Sequence, residues 1–340
     1  MDNTQDLEKI ATARAYKYLQ LLEDKNSKSS KLYQELLSYL ESGHIEGKVT
    51  IADLLRVAFG ELGYMCKDES SNLEDKVSKL DKDGKPIIHN KKFNKYADFF
   101  DKQLKGNNSF YGGKKQNEDW CTIFYHWCLY NSLGEEKTRV ATNVNKLRSH
   151  GAGVPNDYFY YADFPQTMEM IFNNKAATAG DQAFFFTKEG IIHTGLVVAN
   201  YGGYVYILEG NTNPQVGDEE KIIPRGKGVC LKRYSLDRVD IEFRRPAFKG
   251  ISPIPHPYDY KEVSKKISEL YDMLKEELAL TLTPEESVTF KSTPEEIEQT
   301  KLQIAKHKLQ MLTNSLKSKG IELGRVYGGE GKDIINGLKK

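Results

Sequence analysis

The chain has 340 residues, 29% of them charged, and its 49 Lys and Arg almost balance 48 Asp and Glu. That length allows about two or three folded units with ample core, while the balance of charge gives no general electrostatic case for nucleic acid or an anionic membrane surface. Four cysteines are too few for a disulfide scaffold, no apolar run approaches the roughly 18 residues of a spanning helix, and the polar, acidic opening MDNTQDLEKI is unlike a basic-then-apolar secretory signal.

Taken in chain order, residues 4–41 predict helix: Leu7, Ile10, Ala11, Ala15, Tyr18 and Leu22, then Leu32, Leu36 and Leu40, recur at three- and four-residue steps. The polar run Asn26-Ser27-Lys28-Ser29-Ser30 interrupts them. Thr50, with Asp53 three residues on, marks the capped start of another helix. Residues 65–95 are rich in Lys, Asp, Glu and Asn without periodicity and predict a long solvated loop. Asp81-Lys-Asp-Gly84 has part of a calcium loop but lacks its downstream Glu and other ligands, so no metal is expected. The basic stretch from Lys102 to Lys115 is expected to be solvated surface.

Between 110 and 248 aromatics and glycines concentrate. Strand-like runs appear at Ala183–Phe186, Ile191–Val198, Tyr204–Leu208 and Val229–Tyr234, punctuated at hairpin spacing. A helix followed by antiparallel strands is an α+β pattern. Pro253, Pro255 and Pro257 form a stiff linker. Beyond it one helix carries Val263, Ile267, Leu270, Leu274 and Leu278, and another carries Leu302, Ala305, Leu309, Leu312 and Leu316 in near-heptad rhythm. Thr283-Pro-Glu-Glu and Thr293-Pro-Glu-Glu both have the form of helix starts, and Gly320 is a plausible stop. The expected division is a helical region at 1–48, a central domain at 50–248 and a C-terminal helical hairpin and tail at 258–340. That hairpin either docks beside the central domain or offers its leucine seam to another chain.

The segment Asp119–Cys128 carries the most chemical information. Trp120, Ile123, Phe124 and Trp127 give it one buried helical face, and Cys121 falls in the first turn. Unpaired N–H groups and the positive dipole end there favour a thiolate. Cys128, seven residues on, lies about 10 Å away along the axis, too far for a disulfide. A thiolate nucleophile needs a base held by a third group. His193 sits amid apolar residues in a strand, and the next strand ends with Glu209 and Asn211, two apart and so on one face.

Strand register tests that grouping. His193 shares a face with Glu209 and Asn211 when the residue numbers of paired positions sum to an even value. A three-residue loop, Tyr201-Gly202-Gly203, gives 404. A two-residue Gly202-Gly203 loop gives 405 and turns His193 to the other face. The expectation is therefore the three-residue loop. His126, five residues past Cys121, points elsewhere on its helix and is expected to be structural, as is Asp181 in a turn. The cluster Tyr158-Phe-Tyr-Tyr161 is expected to be core.

Trp120-Cys-x-x-Phe-x-x-Trp-Cys128, Ala179-Gly-Asp-x-x-Phe-Phe185, His193-Thr-Gly-x-Val197 and Glu209-Gly-Asn-Thr212, in that order, resemble the CHAP family of cysteine, histidine-dependent amidohydrolases and peptidases. These are relatives of the NlpC-type cell-wall peptidases, with a papain-like core. The resemblance covers residues 50–248, including Gly60-Glu-Leu-Gly-Tyr64. It implies Cys121 as nucleophile, His193 as general base and then acid, Glu209 as the carboxylate orienting His193, and Asn211 as a fourth polar member. Which of Glu209 and Asn211 holds the imidazole stays open at this point. No cofactor or metal is implied. The implied substrate is bacterial peptidoglycan, cut at the sugar–peptide amide or within the stem or cross-bridge. A chain of this kind without a standard signal is expected to reach the wall after lysis or on a phage or secreted particle. The alternatives are a non-catalytic wall-binding or structural component of such a particle and a papain-like peptidase acting on protein.

Overall fold

The computed structural model describes residues 3–66, 79–80, 86–87, 93–102, 111–112, 115–116, 119–142, 147–148, 169–171, 173–218, 220–222, 226–246 and 259–318. The calcium-like segment at 81–84, the aromatic cluster at 158–161, the proline linker at 253–257, Gly320 and most of the stretches at 65–95 and 102–115 lie outside them.

The described helices are α1 (Asn3–Glu23), α2 (Lys28–Ser42), α3 (Ile51–Phe59), α4 (Lys95–Lys102), α5 (Cys121–Leu133), α6 (Glu135–Thr142), α7 (Tyr260–Thr281) and α8 (Pro294–Ser318). Two-residue strands pair as β1 (Lys79–Leu80) with β2 (Pro86–Ile87) and β3 (Tyr111–Gly112) with β4 (Leu147–Arg148). The main sheet holds β5 (Glu169–Ile171), β6 (Gln182–Thr187), β7 (Gly190–Tyr201), β8 (Tyr204–Thr212), β9 (Gly228–Ser235) and β10 (Ile241–Arg245). Its order is β5-β10-β6-β7-β8-β9, and every pairing is antiparallel. The molecule is therefore α+β, with a β6–β9 meander at its centre.

Local chemistry explains the boundaries. Ser27 ends the break between α1 and α2 by accepting from Ser30 N. Thr50 and Asp53 form the reciprocal capping box that their spacing predicts, with Thr50 N donating to Asp53 Oδ2 at 2.8 Å and Asp53 N to Thr50 Oγ1 at 3.3 Å. The two Thr-Pro-Glu-Glu motifs diverge. Thr293 and Glu296 cap α8, whereas Thr283 and Glu286 make the same bonds around a turn that no helix follows. Val288, Thr289 and Phe290 come next, and such residues lose side-chain freedom in a helix, so the nucleus does not propagate.

The sheet is coiled. In a flat sheet β6 and β9 would lie about 14 Å apart, three ladder spacings. The rings of Phe185 on β6 and Tyr234 on β9 are nevertheless only 5.1 Å apart. One apolar cluster, including Phe185, Val197, Val205, Ile207, Tyr234 and Phe243, fills the concave side. The other side packs on α5, and Gly210 sets the approach: a Cβ there would fall 2.6 Å from Phe124 Cβ and 2.8 Å from the Trp120 ring. Segment 63–66 covers one end of the outer edge of β9, with Val229 N donating to Tyr64 O at 2.8 Å and Cys66 N to Lys227 O at 2.7 Å.

The flanking helices share this core. A single buried cluster runs from Tyr18, Leu22, Leu36 and Leu40 through Phe59, Trp120 and Phe124 to Leu208, Leu231, Ile267 and Leu274. Buried Arg14 of α1 also donates to the carbonyls of Glu286 and Val288. No core boundary falls at residue 48. Nor do α7 and α8 pack chiefly on each other as the expected hairpin would: α7 lies against α1, α2 and β7, while α8 lays Ile304 on Phe184 and Phe186 of β6.

Leu36 is fully buried in α2. Leu36→Ala should cost about 2–5 kcal/mol and lower one unfolding transition seen alike by far-ultraviolet circular dichroism and by fluorescence of Trp120 and Trp127. Separate transitions would instead make the N-terminal helices an independent unit.

Candidate active site

The turn between β7 and β8 departs from the three-residue expectation. Tyr201 pairs with Tyr204, leaving Gly202 and Gly203 as a two-residue loop with φ +62° and +85°. Two positive φ angles mark the hairpin turn whose twist matches the flanking strands, and adjacent glycines adopt it without strain. That register sums to 405 and by itself would turn His193 away. The strand corrects it. Pairing passes from Ala199 with Tyr206 to Val197 with Ile207, leaving Val198 as an extra residue and restoring the sum of 404. A second bulge leaves Ile192 unpaired against β6. His193 thus lies in a short segment bracketed by bulges, on the concave side with Phe185, whose ring is 5.5 Å away.

Glu209 meets it there. His193 Nε2 lies 2.8 Å from Glu209 Oε2, with the two side chains 1% and 0% exposed. The carboxylate is fully engaged. Oε1 accepts from Tyr234 OH at 2.6 Å, and Oε2 also accepts from Thr212 Oγ1 at 3.3 Å and lies 3.4 Å from Lys232 Nζ. Burial pushes the Glu209 carboxyl up, but Lys232, His193 and Tyr234 together hold it well below its ordinary range. Burial pushes His193 down, and the hydrogen bonds and charges of Cys121 and Glu209 outweigh it, raising the imidazole above its ordinary value. Nδ1 has no partner of ordinary hydrogen-bond geometry, and the hydrogen bond with the Cys121 thiol is the strongest of the influences that favour the protonated ring.

Cys121 opens α5 and is partly exposed, and no side chain caps that helix end. Cys66, Cys128 and Cys230 are buried. Burial raises both Cys128 and Cys230, the latter to about 12. Asn211 goes elsewhere. The β8–β9 register shifts between Glu209 and Thr212, Asn211 adopts φ +59°, and its Nδ2 donates to Asp119 Oδ1 at 3.3 Å, two residues before Cys121. The bulge breaks the simple alternation that put Glu209 and Asn211 on one face. His126 is buried and lowered to about 3 by desolvation. Asp181 receives both Arg245 Nε and Nη2 at 3.0 Å and the Thr178 N–H at 2.9 Å, which shapes its turn.

Sequence reasoning did not identify Lys232, Tyr234, Thr212 or Asp119. Lys232 and Tyr234 were detectable in part: they stand two apart in the run Val229–Tyr234 and so share a face of the strand beside Glu209. A cavity of about 580 Å³ is lined by Phe186, Ile192, Ile222, Arg238 and Thr300 but by neither Cys121 nor Glu209.

Glu209→Gln leaves Lys232 buried without its anion, an imbalance worth about 3–5 kcal/mol, measurable by urea unfolding. The loss should depend on pH. Glu209 titrates below its ordinary 4.5, so its contribution is complete above that pH and fades as pH falls through the folded value. His193 titrates above its ordinary 6.5, so its contribution is complete below that pH and fades as pH rises through the folded value. The destabilisation should peak between pH 4.5 and 6.5; a flat profile contradicts the pairing.

No protein-family model, curated protein or solved structure matches this chain.

Proposed function

We propose that the protein is a cysteine amidase or endopeptidase with a CHAP-like, papain-related core, acting on amide bonds of bacterial peptidoglycan. The observation that carries this reading is the buried Glu209–His193 pair, with the imidazole raised jointly by Cys121, at the first turn of α5, and Glu209. A carboxylate fixes one ring nitrogen, the other is left to the thiol, and Cys121 is partly exposed.

In the reaction Cys121 gives its proton to His193 and attacks the amide carbonyl. His193 then protonates the leaving amine, and a thioester to Cys121 remains. Water attacks the thioester as His193 takes its proton, and Cys121 is released. Glu209 stays ionised throughout, setting the tautomer and stabilising the imidazolium. N–H groups at the start of α5, uncapped by a side chain, are suited to hold the developing oxyanion. Asn211 is assigned to the approach to α5 through Asp119, one step removed from the imidazole. The choice of peptidoglycan rests on the family resemblance of the four motifs.

Wild type, Cys121→Ala and His193→Ala should be compared on purified peptidoglycan, with new amines and new reducing ends assayed separately. The expected result is amine release by wild type and a fall of at least about 10³-fold in both variants. New reducing ends, or amine release that survives loss of Cys121, would overturn the proposal. Release from protein substrates alone would make the enzyme a protein peptidase.

A further inference from the structure

Helix α8 has two apolar faces, and the sheet uses only one. Ile304 is buried against Phe184 and Phe186, the His307 ring lies 5.3 Å from that of Phe186, and Thr300 is 7% exposed. At about 100° per residue, Leu302, Ala305, Leu309, Leu312 and Leu316 centre roughly 150° around the helix from those three. They point away from the sheet: Leu302 is 48% and Leu312 44% exposed, Ala305 is exposed, and Leu309 and Leu316 are half-buried. The spacing runs 3-4-3-4 along about 21 Å of helix.

We propose that this outer face of α8 docks an acidic amphipathic helix of another protein in coiled-coil fashion. The flanking residues specify the charge of the partner. Gln299, Lys306 and Thr313 border one side of the seam and Lys301 and Lys308 the other, so every charged flank is a lysine. Lys301 meets Glu298 of its own helix at 2.6 Å, an exposed pair of small value. A second copy would bring lysines against lysines across the seam, which disfavours self-pairing. A stripe confined to a and d positions is the width of a coiled-coil seam, narrower than the apolar face of a helix lying in a lipid surface. A partner helix with Leu or Ile at its seam and Glu at its flanks matches both the shape and the charge. This surface is independent of the Cys121 site.

The test uses the full chain and two labelled synthetic peptides of three heptads, with Leu at a and d and either Glu or Lys at e and g. The Glu peptide should bind, and the Lys peptide should bind at least tenfold more weakly. Leu302→Ser with Leu312→Ser should weaken the Glu peptide at least tenfold without moving the melting temperature, since both side chains are exposed. Lys306→Glu with Lys308→Glu should reverse the preference. The proposal is overturned by failure to bind the Glu peptide or by equal binding of both peptides. It is equally overturned if the serine variants abolish binding to phosphatidylglycerol vesicles, or if they dissociate a wild-type dimer in sedimentation.

Discussion

A carboxylate with no exposed surface stays ionised only if its oxygens are matched on every side, and Glu209 sets that condition for the centre of this molecule. Its partners come from three strands: His193 on β7, Thr212 on its own β8, and Lys232 and Tyr234 on β9. Each must arrive on the concave side at the right height. Register, curvature and charge are therefore coupled, and a slip of one residue in either ladder would strand a buried ion. The Tyr234 hydroxyl, whose pKa burial and Glu209 both raise, remains a donor and completes the set.

The backbone meets the condition with irregularities. Two glycines close the β7–β8 turn in the tightest form, and the extra residue that the register demands enters at Val198 instead of the loop. A bulge at Ile192 and another after Glu209 add twist. The coiling they favour is visible in the contact of Phe185 with Tyr234 across two intervening strands. On the opposite side Gly210 lets α5 seat against β8, which brings the first turn of that helix, and Cys121 with it, to the end of the sheet where His193 waits.

How much of this was legible follows from the kind of signal each feature leaves. Strands such as Ala183–Phe186 and Tyr204–Leu208 are apolar throughout and announce themselves. Strand β10 alternates Ile241 and Phe243 with Glu242 and Arg244, and looks half-solvated. In the fold those charges are buried as a pair, with Arg244 Nε 2.7 Å from Glu242 Oε1. Cys121 stands out by its place in the first turn of a helix, His193 as an ionisable group amid apolar strand residues that needs a partner, and Glu209 by its place on the next strand. Lys232 could not be tied to Glu209 without the β8–β9 register. The face shared by His193 and Glu209 was expected from a longer loop and is achieved by a bulge, a backbone event that no single residue type marks. Alternation groups Asn211 with Glu209, and the same kind of event sends it to Asp119.

The outlying helices belong to the same solution. Helices α1, α2 and α7 cover the core that α5 and the sheet begin, so these three helices are not appendages to a finished domain. The most direct test of the central claim is the rate at which iodoacetamide alkylates Cys121 at neutral pH in wild type and in His193→Ala, with the site assigned by mass spectrometry. The expected result is modification of Cys121 ahead of the three buried thiols, slowed at least tenfold when the imidazole is removed. An unchanged rate would contradict the claim that His193 activates this sulfur.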